Sequence, residues 1–291
     1  MQKITRRWSP ESILGRWAIP GATISLPLIA LVLSPLVIWK LGIRPQDAIA
    51  IVVMYGLTIL GITLGYHRTI THRSLELIPI VRYAVVGLGA MAAQGPPSFW
   101  AAHHRAHHAN ADGPGDPHSP RADGGPAFAG ISAFLYGHIG WMFGSGTRYD
   151  GRLVRDLRRD CVISRIDKHY AALVLAGLFV PSMLLWRMDP DFLGFAQSVY
   201  WVGLVRIGLA HQATWLVNSA CHLWGYRAFL TNDDSRNNWG VAIMTLGEGW
   251  HNNHHAAPAR ARHGLQKWEL DPTYWAILAL ETIGAARRVR H

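Results

Sequence analysis

AIAIVVMYGLTILGITLGYHRTITH, Ala48 to His72, decides what kind of molecule this is. From Ala48 to Tyr66 the run carries no charge, and it approaches the roughly 20 apolar residues a helix needs to cross the ~30 Å core of a bilayer. At about 1.5 Å of rise per residue, such a span is used up near Tyr66. His67 then falls at the membrane boundary and His72 beyond it.

The same pattern recurs outward from this stretch. Ala22 to Trp39 and Tyr170 to Trp186 are further uncharged or nearly uncharged runs, and a fourth begins at Phe192, meets Arg206 and stays largely apolar to Trp224. These predict four transmembrane helices, roughly 22–39, 48–66, 170–186 and 192–214, paired as hairpins, with RMDPDF (187–192) as the turn of the second. Followed to Trp224, the fourth helix would be about 50 Å long, so its last turns project beyond the bilayer. Ala84 to Trp100 is also uncharged, but it contains Gln94, Gly95 and Pro96-Pro97. It is expected to be buried, interfacial or re-entrant, because a fifth span would put the two histidine-rich stretches on opposite sides of the membrane.

Half of the 291 residues are hydrophobic and only 16% are charged, which argues against a soluble globule. A net charge of +10 invites a nucleic-acid reading, but the positions of the basic residues oppose it. Four precede Ala22, twelve lie between His67 and His169, and eight follow His222; the two short hairpin loops hold only Lys40, Arg44 and Arg187. By the positive-inside rule, both termini and the histidine-rich segments face the cytosol, with anionic lipid head groups as secondary partners and no nucleic acid. The basic start, MQKITRRWSP, introduces a retained first span rather than a removable signal. Cys161 and Cys221 are the only cysteines, so neither a disulfide framework nor a thiolate-held metal is available. The glycine- and proline-rich stretch from Ala111 to Pro126 reads as a cytosolic loop, and the whole chain, 1–291, as a single integral-membrane domain.

Sixteen histidines are present, and their spacing carries more than their number. His104, His107 and His108 in HRAHH repeat the pattern of His251, His254 and His255 in HNNHH. On a helix the three rings of H-x-x-H-H share a face while the last two diverge by about 100°, which suits two adjacent ions. In HRTITH, five residues turn an α-helix by about 140°. Either the helix ends between His67 and His72 or the two serve separate ions. Asn218 and His222 are four residues apart on one face of an apolar helix, a polar pair that needs partners. His222 alone reads first as a hydrogen-bonded core histidine and only second as a ligand, and the remaining histidines as structural or solvent-facing. All-imidazole ligation fits iron, zinc or copper. Zinc needs only three or four ligands, so eight or nine imidazoles indicate two ions, and two redox-active ions beside a bilayer indicate dioxygen chemistry on a lipid.

These motifs, HRTITHR, HRAHH followed by GDPHSP, FLYGHIGWMF, TWLVNSACHLWGYR and GEGWHNNHH, resemble in order and spacing those of the membrane-bound fatty acid desaturases, in particular the Δ9 acyl-CoA (stearoyl-CoA type) and acyl-lipid branch. The resemblance runs from about Leu64 to Trp268. It implies an all-α membrane protein of four spans with a cytosolic helical cap holding a histidine-ligated di-iron site, and a tunnel for the acyl chain. Carried over residue by residue, one iron would take His67, His108, His222 and His255, with Asn218 acting through water. The other would take His72, His104, His107, His251 and His254. The implied reaction uses O2 and two Fe ions to place a cis double bond in a saturated C16–C18 fatty acyl chain, foremost an acyl-CoA at Δ9, with an acyl-lipid as the alternative. Animal acyl-CoA enzymes tend to carry Arg-Asp just before the second histidine box; this chain has Ala102-His103. No haem-binding His-Pro-Gly-Gly occurs, so electrons are expected from a separate donor of the ferredoxin/reductase type. Two other classes share parts of the pattern. A di-iron alkane or lipid hydroxylase would use the same histidines, and a metal transporter would require polar residues along several spans, of which the first three runs offer essentially none.

Overall fold

The computed structural model describes residues 13–120, 130–143, 149–188 and 190–291, with side chains from Gly21 onward. The basic residues 3–7 and the second half of the glycine- and proline-rich loop, 121–126, lie outside the described residues.

Helix α1 (Ile13–Leu41) and α2 (Pro45–Leu60) form a hairpin, and α2 passes without a break into a π-helical segment, Gly61–Thr71. A two-residue strand β1 (Glu76–Leu77) leads to α3 (Pro79–Ala90) and α4 (Pro97–Asn110), then α5 (Ile131–His138). The short α6 (Arg155–Arg159) and α7 (Cys161–Lys168) precede a second hairpin. Its arms are α8 (Tyr170–Met188) and α9 (Phe192–Ser198), the latter continued through a second π-helical segment, Val199–Val205, into α10 (Arg206–Leu223). Helices α11 (Trp239–Met244), α12 (His251–Ala256) and α13 (Pro272–Thr282) follow, and β2 (Ala286–Arg287) pairs antiparallel with β1. Among the described residues the protein is thus all-α apart from this two-residue ladder and the isolated bridges of Asn237 with Tyr226 and Trp250.

Among the described residues, four helices are long and apolar enough to cross a membrane: Gly21–Leu41, Pro45–Thr71, Tyr170–Met188 and Phe192–Leu223. Each contains one of the expected spans, and the second and fourth overrun theirs at the histidine end. The 32 residues of Phe192–Leu223 would reach about 48 Å as an α-helix, well past a ~30 Å core. The far ends are pinned by polar bonds: the Arg44 guanidinium donates to Ser198 Oγ at 2.6 Å and to the Gly194 carbonyl at 2.7 Å, and Ser198 donates to Asp47.

The segment 84–100 is no fifth span. α3 ends at Ala90, and its exit turn is bonded to α10 and α8. His211 Nε2 meets the carbonyls of Ala92 and Ala93 at 2.9 and 3.2 Å, and Arg206 donates to the carbonyls of Met91 and Gly177 at 2.8 and 2.9 Å. The Gly177 carbonyl needs that donor because Pro181, four residues on inside α8, has no N–H to offer it. The fully buried Arg206 is therefore a structural cross-brace between three helices. Turning back at Met91–Pro96 keeps both H-x-x-H-H helices at the same end.

Candidate metal centre

The first pair of histidines is placed by the π-helical segment. The His72 N–H donates to the His67 carbonyl at 3.1 Å, an i→i−5 bond, and the hydroxyls of Thr69 and Thr71 donate to the carbonyls of Leu64 and Tyr66, each five residues back. A turn closed over five residues is wider than an α turn, so His67 and His72 return to the same face. The 140° divergence expected of an α-helix does not apply. Close packing holds the segment in place: a Cβ on Gly61 would collide with the backbone of Gly89 on α3.

Around this pair the nine box histidines form two groups. In the first, His67, His104, His108 and His254 close a ring of Nε2 atoms with edges of 2.8, 3.0, 2.9 and 3.1 Å. A square of that edge has its centre about 2.1 Å from each corner, the length of a metal–imidazole bond, ~2.0–2.1 Å. His72 sits over the ring, its centroid 4.8, 5.1, 4.6 and 4.6 Å from those of His67, His104, His108 and His254. Its buried Nε2 has no hydrogen-bond partner among the described residues. Five imidazoles thus converge where one metal ion would be held.

His107, His222, His251 and His255 form the second group, with Nε2···Nε2 separations of 3.0 Å between His222 and His251 and 3.2 Å between His107 and His255. Carboxylates stand behind three of them. Asp116 accepts from His107 Nδ1 at 2.8 Å, Asp112 from His222 Nδ1 at 2.8 Å and Asp233 from His255 Nδ1 at 2.9 Å. A neutral imidazole has one N–H. With that proton on Nδ1, His107 and His255 turn bare lone pairs toward each other across 3.2 Å. No hydrogen bond can form there, and a cation relieves the conflict.

Protonation agrees with this donor set. Burial pulls His72 down to about 3 and His255 to about 4, and holds His104, His108, His251 and His254 well below the usual histidine range. All six are neutral at pH 7, the form that binds metal. Burial pushes Asp112, Asp116 and Asp233 upward, but the adjoining His222, His107 and His255 hold each carboxyl far below its ordinary value. The residues present therefore fit two metal ions.

The structure thus sorts the nine histidines differently from the carry-over. His67 and His72 belong together, because of the π turn. Within each box the i and i+4 residues share one group while i+3 enters the other: His104 with His108 but not His107, His251 with His255 but not His254. On α4 and α12, i and i+4 lie one turn apart on nearly the same azimuth, whereas i+3 is offset by about 100° from i+4. Asn218 is half-buried one turn before His222 on α10.

Several partners escaped the sequence analysis. Besides the three aspartates, the Glu248 carboxylate lies against His67 Nδ1 and 3.3 Å from the buried Arg68, which also pairs with Asp271 at 2.9 Å. Burial raises the Glu248 carboxyl to about 8. His118 and His263, expected to be structural or solvent-facing, are buried beside the centre, 4.4 Å from His107 and 4.5 Å from His254 between ring centroids. A signal for the aspartates was present: Asp112 and Asp116 follow the second box by four and eight residues, within the stretch that contains GDPHSP.

Residues 46–275 match the family model described as Fatty acid desaturase. The chain is similar to an sn-2 palmitoyl-lipid 9-desaturase of Nostoc, 39% identical over 79% of this chain and 76% of that one. It is equally similar to an sn-1 stearoyl-lipid 9-desaturase of Anabaena variabilis, 39% identical over 79% of each. A palmitoyl-monogalactosyldiacylglycerol delta-7 desaturase of Arabidopsis thaliana is 37% identical over 83% of this chain, which spans only 62% of that relative's length. Two adjoining all-imidazole groups at one end of four apolar helices, together with these likenesses, make the chain a member of the fatty acid desaturase family.

Proposed function

We propose that the protein is an O2-dependent desaturase that introduces a cis Δ9 double bond into a saturated C16–C18 acyl chain, carried by a membrane glycerolipid rather than by CoA. The observation that carries the reaction class is the pair of adjacent Nε2 groups, five and four imidazoles strong. The choice of carrier draws on the lipid substrates named for the two 39% relatives and on Ala102-His103, both buried, where a CoA-binding Arg-Asp would be expected.

Two iron ions would be held by His67, His72, His104, His108 and His254 and by His107, His222, His251 and His255, and would supply the reduction of dioxygen and the oxidising power to remove two hydrogens from adjacent methylenes. The chain supplies the rest. The buried histidines present neutral Nε2 donors, and Asp112, Asp116 and Asp233 fix the tautomer and orientation of the rings behind which they stand. Asn218 holds a water one turn from His222. The apolar helices keep bulk water from the site and set how deeply the acyl chain enters, which selects the carbons that react.

The histidine end faces the cytosol, following the basic residues. There His72 and His108 are half-buried while the rings of the other seven are buried, and the two rings adjoin, 4.6 Å apart between centroids. This edge is where a separate ferredoxin-type donor delivers electrons. Mass spectrometry of derivatised fatty acids, resolved by lipid class, tests the proposal in a desaturase-deficient host supplied with such a donor. A new cis-Δ9 olefin appearing first in glycerolipid is expected. A hydroxy acid, or an olefin appearing first in the acyl-CoA pool, would overturn the reaction or the carrier respectively.

A further inference from the structure

We infer that α11 is immersed in the bilayer leaflet on the histidine side, with Ile243 and Met244 among the acyl chains and Trp239 at the interface, so that the last helix before the third histidine box is a membrane insert. Depth is the first argument. The Tyr55 hydroxyl donates to the Met244 carbonyl at 2.7 Å. Tyr55 is ten residues beyond Pro45, the start of α2, which places its backbone about 15 Å above that end of the helix. The level is close to the middle of a ~30 Å core. Even a tyrosine side chain stretched toward the histidine end leaves Met244 below the far boundary, while Val241, packed on the last turns of α10 that overrun the core, lies nearer that boundary.

Surface chemistry is the second argument. The inner face of α11 is buried: Val241 and Ala242 are 3% and 0% exposed, and Val241 packs with Val217 and Cys221 of α10. Its outer face is Trp239, Ile243 and Met244, at 68%, 59% and 40% exposure, and no charged residue occurs from Trp239 to Gly247. Facing water, this six-residue helix would expose tryptophan, isoleucine and methionine with nothing polar between them. It is instead continuous, through Tyr55, with the outward face of α2, where Ile49, Val52 and Val53 are 66%, 71% and 51% exposed. An amphipathic helix inserted about 5–10 Å into the headgroup/acyl boundary is the usual form of such an insert, with tryptophan at the interface.

The insert is coupled to the metal centre by position. Met244 precedes Glu248 by four residues, and Gly249 packs so tightly on Ala242 that a Cβ there would overlap the backbone.

The test uses the full chain in phosphatidylcholine vesicles, in a Cys161→Ser background because Cys161 is exposed while Cys221 is buried. A nitroxide is placed at Ile243→Cys and, as a water-facing reference, at the exposed Arg260→Cys. Collision of each label with O2 and with a soluble nickel chelate is read by electron paramagnetic resonance. The O2-to-nickel ratio is expected to be several-fold higher at 243 than at 260. Equal ratios would overturn the inference, and so would a label at 243 shielded from both reagents, which would mean that protein, including a second copy, covers the face. Trp239→Cys provides a second position should Ile243→Cys fail to insert. No turnover is read, so the outcome is independent of the desaturase proposal.

Discussion

The two histidine groups are neighbours that share the second and third boxes, one completed by His67 and His72 and the other by His222 of α10, yet they differ in what surrounds them. The five-histidine group has five nitrogen donors and one carboxyl in contact, Glu248, which burial keeps near pH 8 and therefore mostly uncharged at neutrality. The four-histidine group has one donor fewer, but three of its rings lean on ionised aspartates. A carboxylate on the outer nitrogen raises ligand basicity and locks the ring. One group would hold an ion by ligand number, the other by fewer ligands with charge behind them. Shared chemistry therefore need not mean shared roles.

Removing a ligand from either group breaks the comparison most severely. His254→Ala opens the four-membered ring, and His107→Ala removes one of the two facing lone pairs. Both should abolish olefin formation while the protein remains membrane-inserted, because the four apolar helices are untouched. Metal analysis should show each variant losing about half of the bound metal, one ion of two. Full activity in either would refute the ligand assignment.

Asp112→Asn probes the charge behind the second group. Asp112 already adopts a left-handed backbone, φ 56°, which asparagine tolerates, so the substitution should fold. It replaces an acceptor for His222 Nδ1 and for the Asp234 N–H, both at 2.8 Å. Loss of such a partner typically costs 10–100-fold in metal affinity or activity, and a titration of apo-protein with Fe(II) should show the drop confined to one of two sites. Equal weakening of both sites would mean that the groups are one cooperative unit.

How far this contrast could be foreseen depends on the range of the interactions. The long helices and the H-x-x-H-H boxes were legible because hydropathy and i, i+3, i+4 spacing are local. The sorting of His67 with His72 was not. It depends on a π turn held by Thr69, Thr71 and the Gly61–Gly89 contact, and no apolar periodicity distinguishes a π turn from the α-helix it continues. Asp112 meets His222 across 110 residues and Asp233 meets His255 from a loop; neither pairing leaves a trace in spacing. Glu248 stood inside GEGWHNNHH, but its raised carboxyl follows from burial beside Asp271, which only the fold creates.

Acid should affect both groups in the metal-free protein. Histidines with folded values of about 3 and 4 at His72 and His255 bind protons in the unfolded chain near pH 6.5 but not in the native one. The unfolded state takes up more protons, so stability rises with pH in this window. It is fully present above about pH 6.5 and is lost progressively toward pH 4 and below. Thermal unfolding in detergent should show the midpoint falling steeply below pH 6.5, and bound metal should blunt that fall.

The smallest effect is expected at Glu248, and it sharpens the contrast. With its carboxyl at about 8, Glu248 is mostly the neutral acid at pH 7, and Glu248→Gln replaces one neutral hydrogen-bonding group with another of the same shape. Metal binding and olefin formation should fall by less than the tenfold lower bound expected for Asp112→Asn. The sign of the pH response is also fixed. A carboxyl raised in the folded state contributes stability that is complete below its unfolded value, near 4.3, and is lost as pH rises through 8. The wild-type apo-protein should therefore lose this contribution progressively between about pH 4.3 and pH 8, a softening visible above about pH 6.5 where the histidine contribution is complete, and Glu248→Gln should lack it. A Glu248→Gln variant as damaged as Asp112→Asn would show that Glu248 is ionised behind His67, and the distinction between a group held by number and a group held by charge would fall.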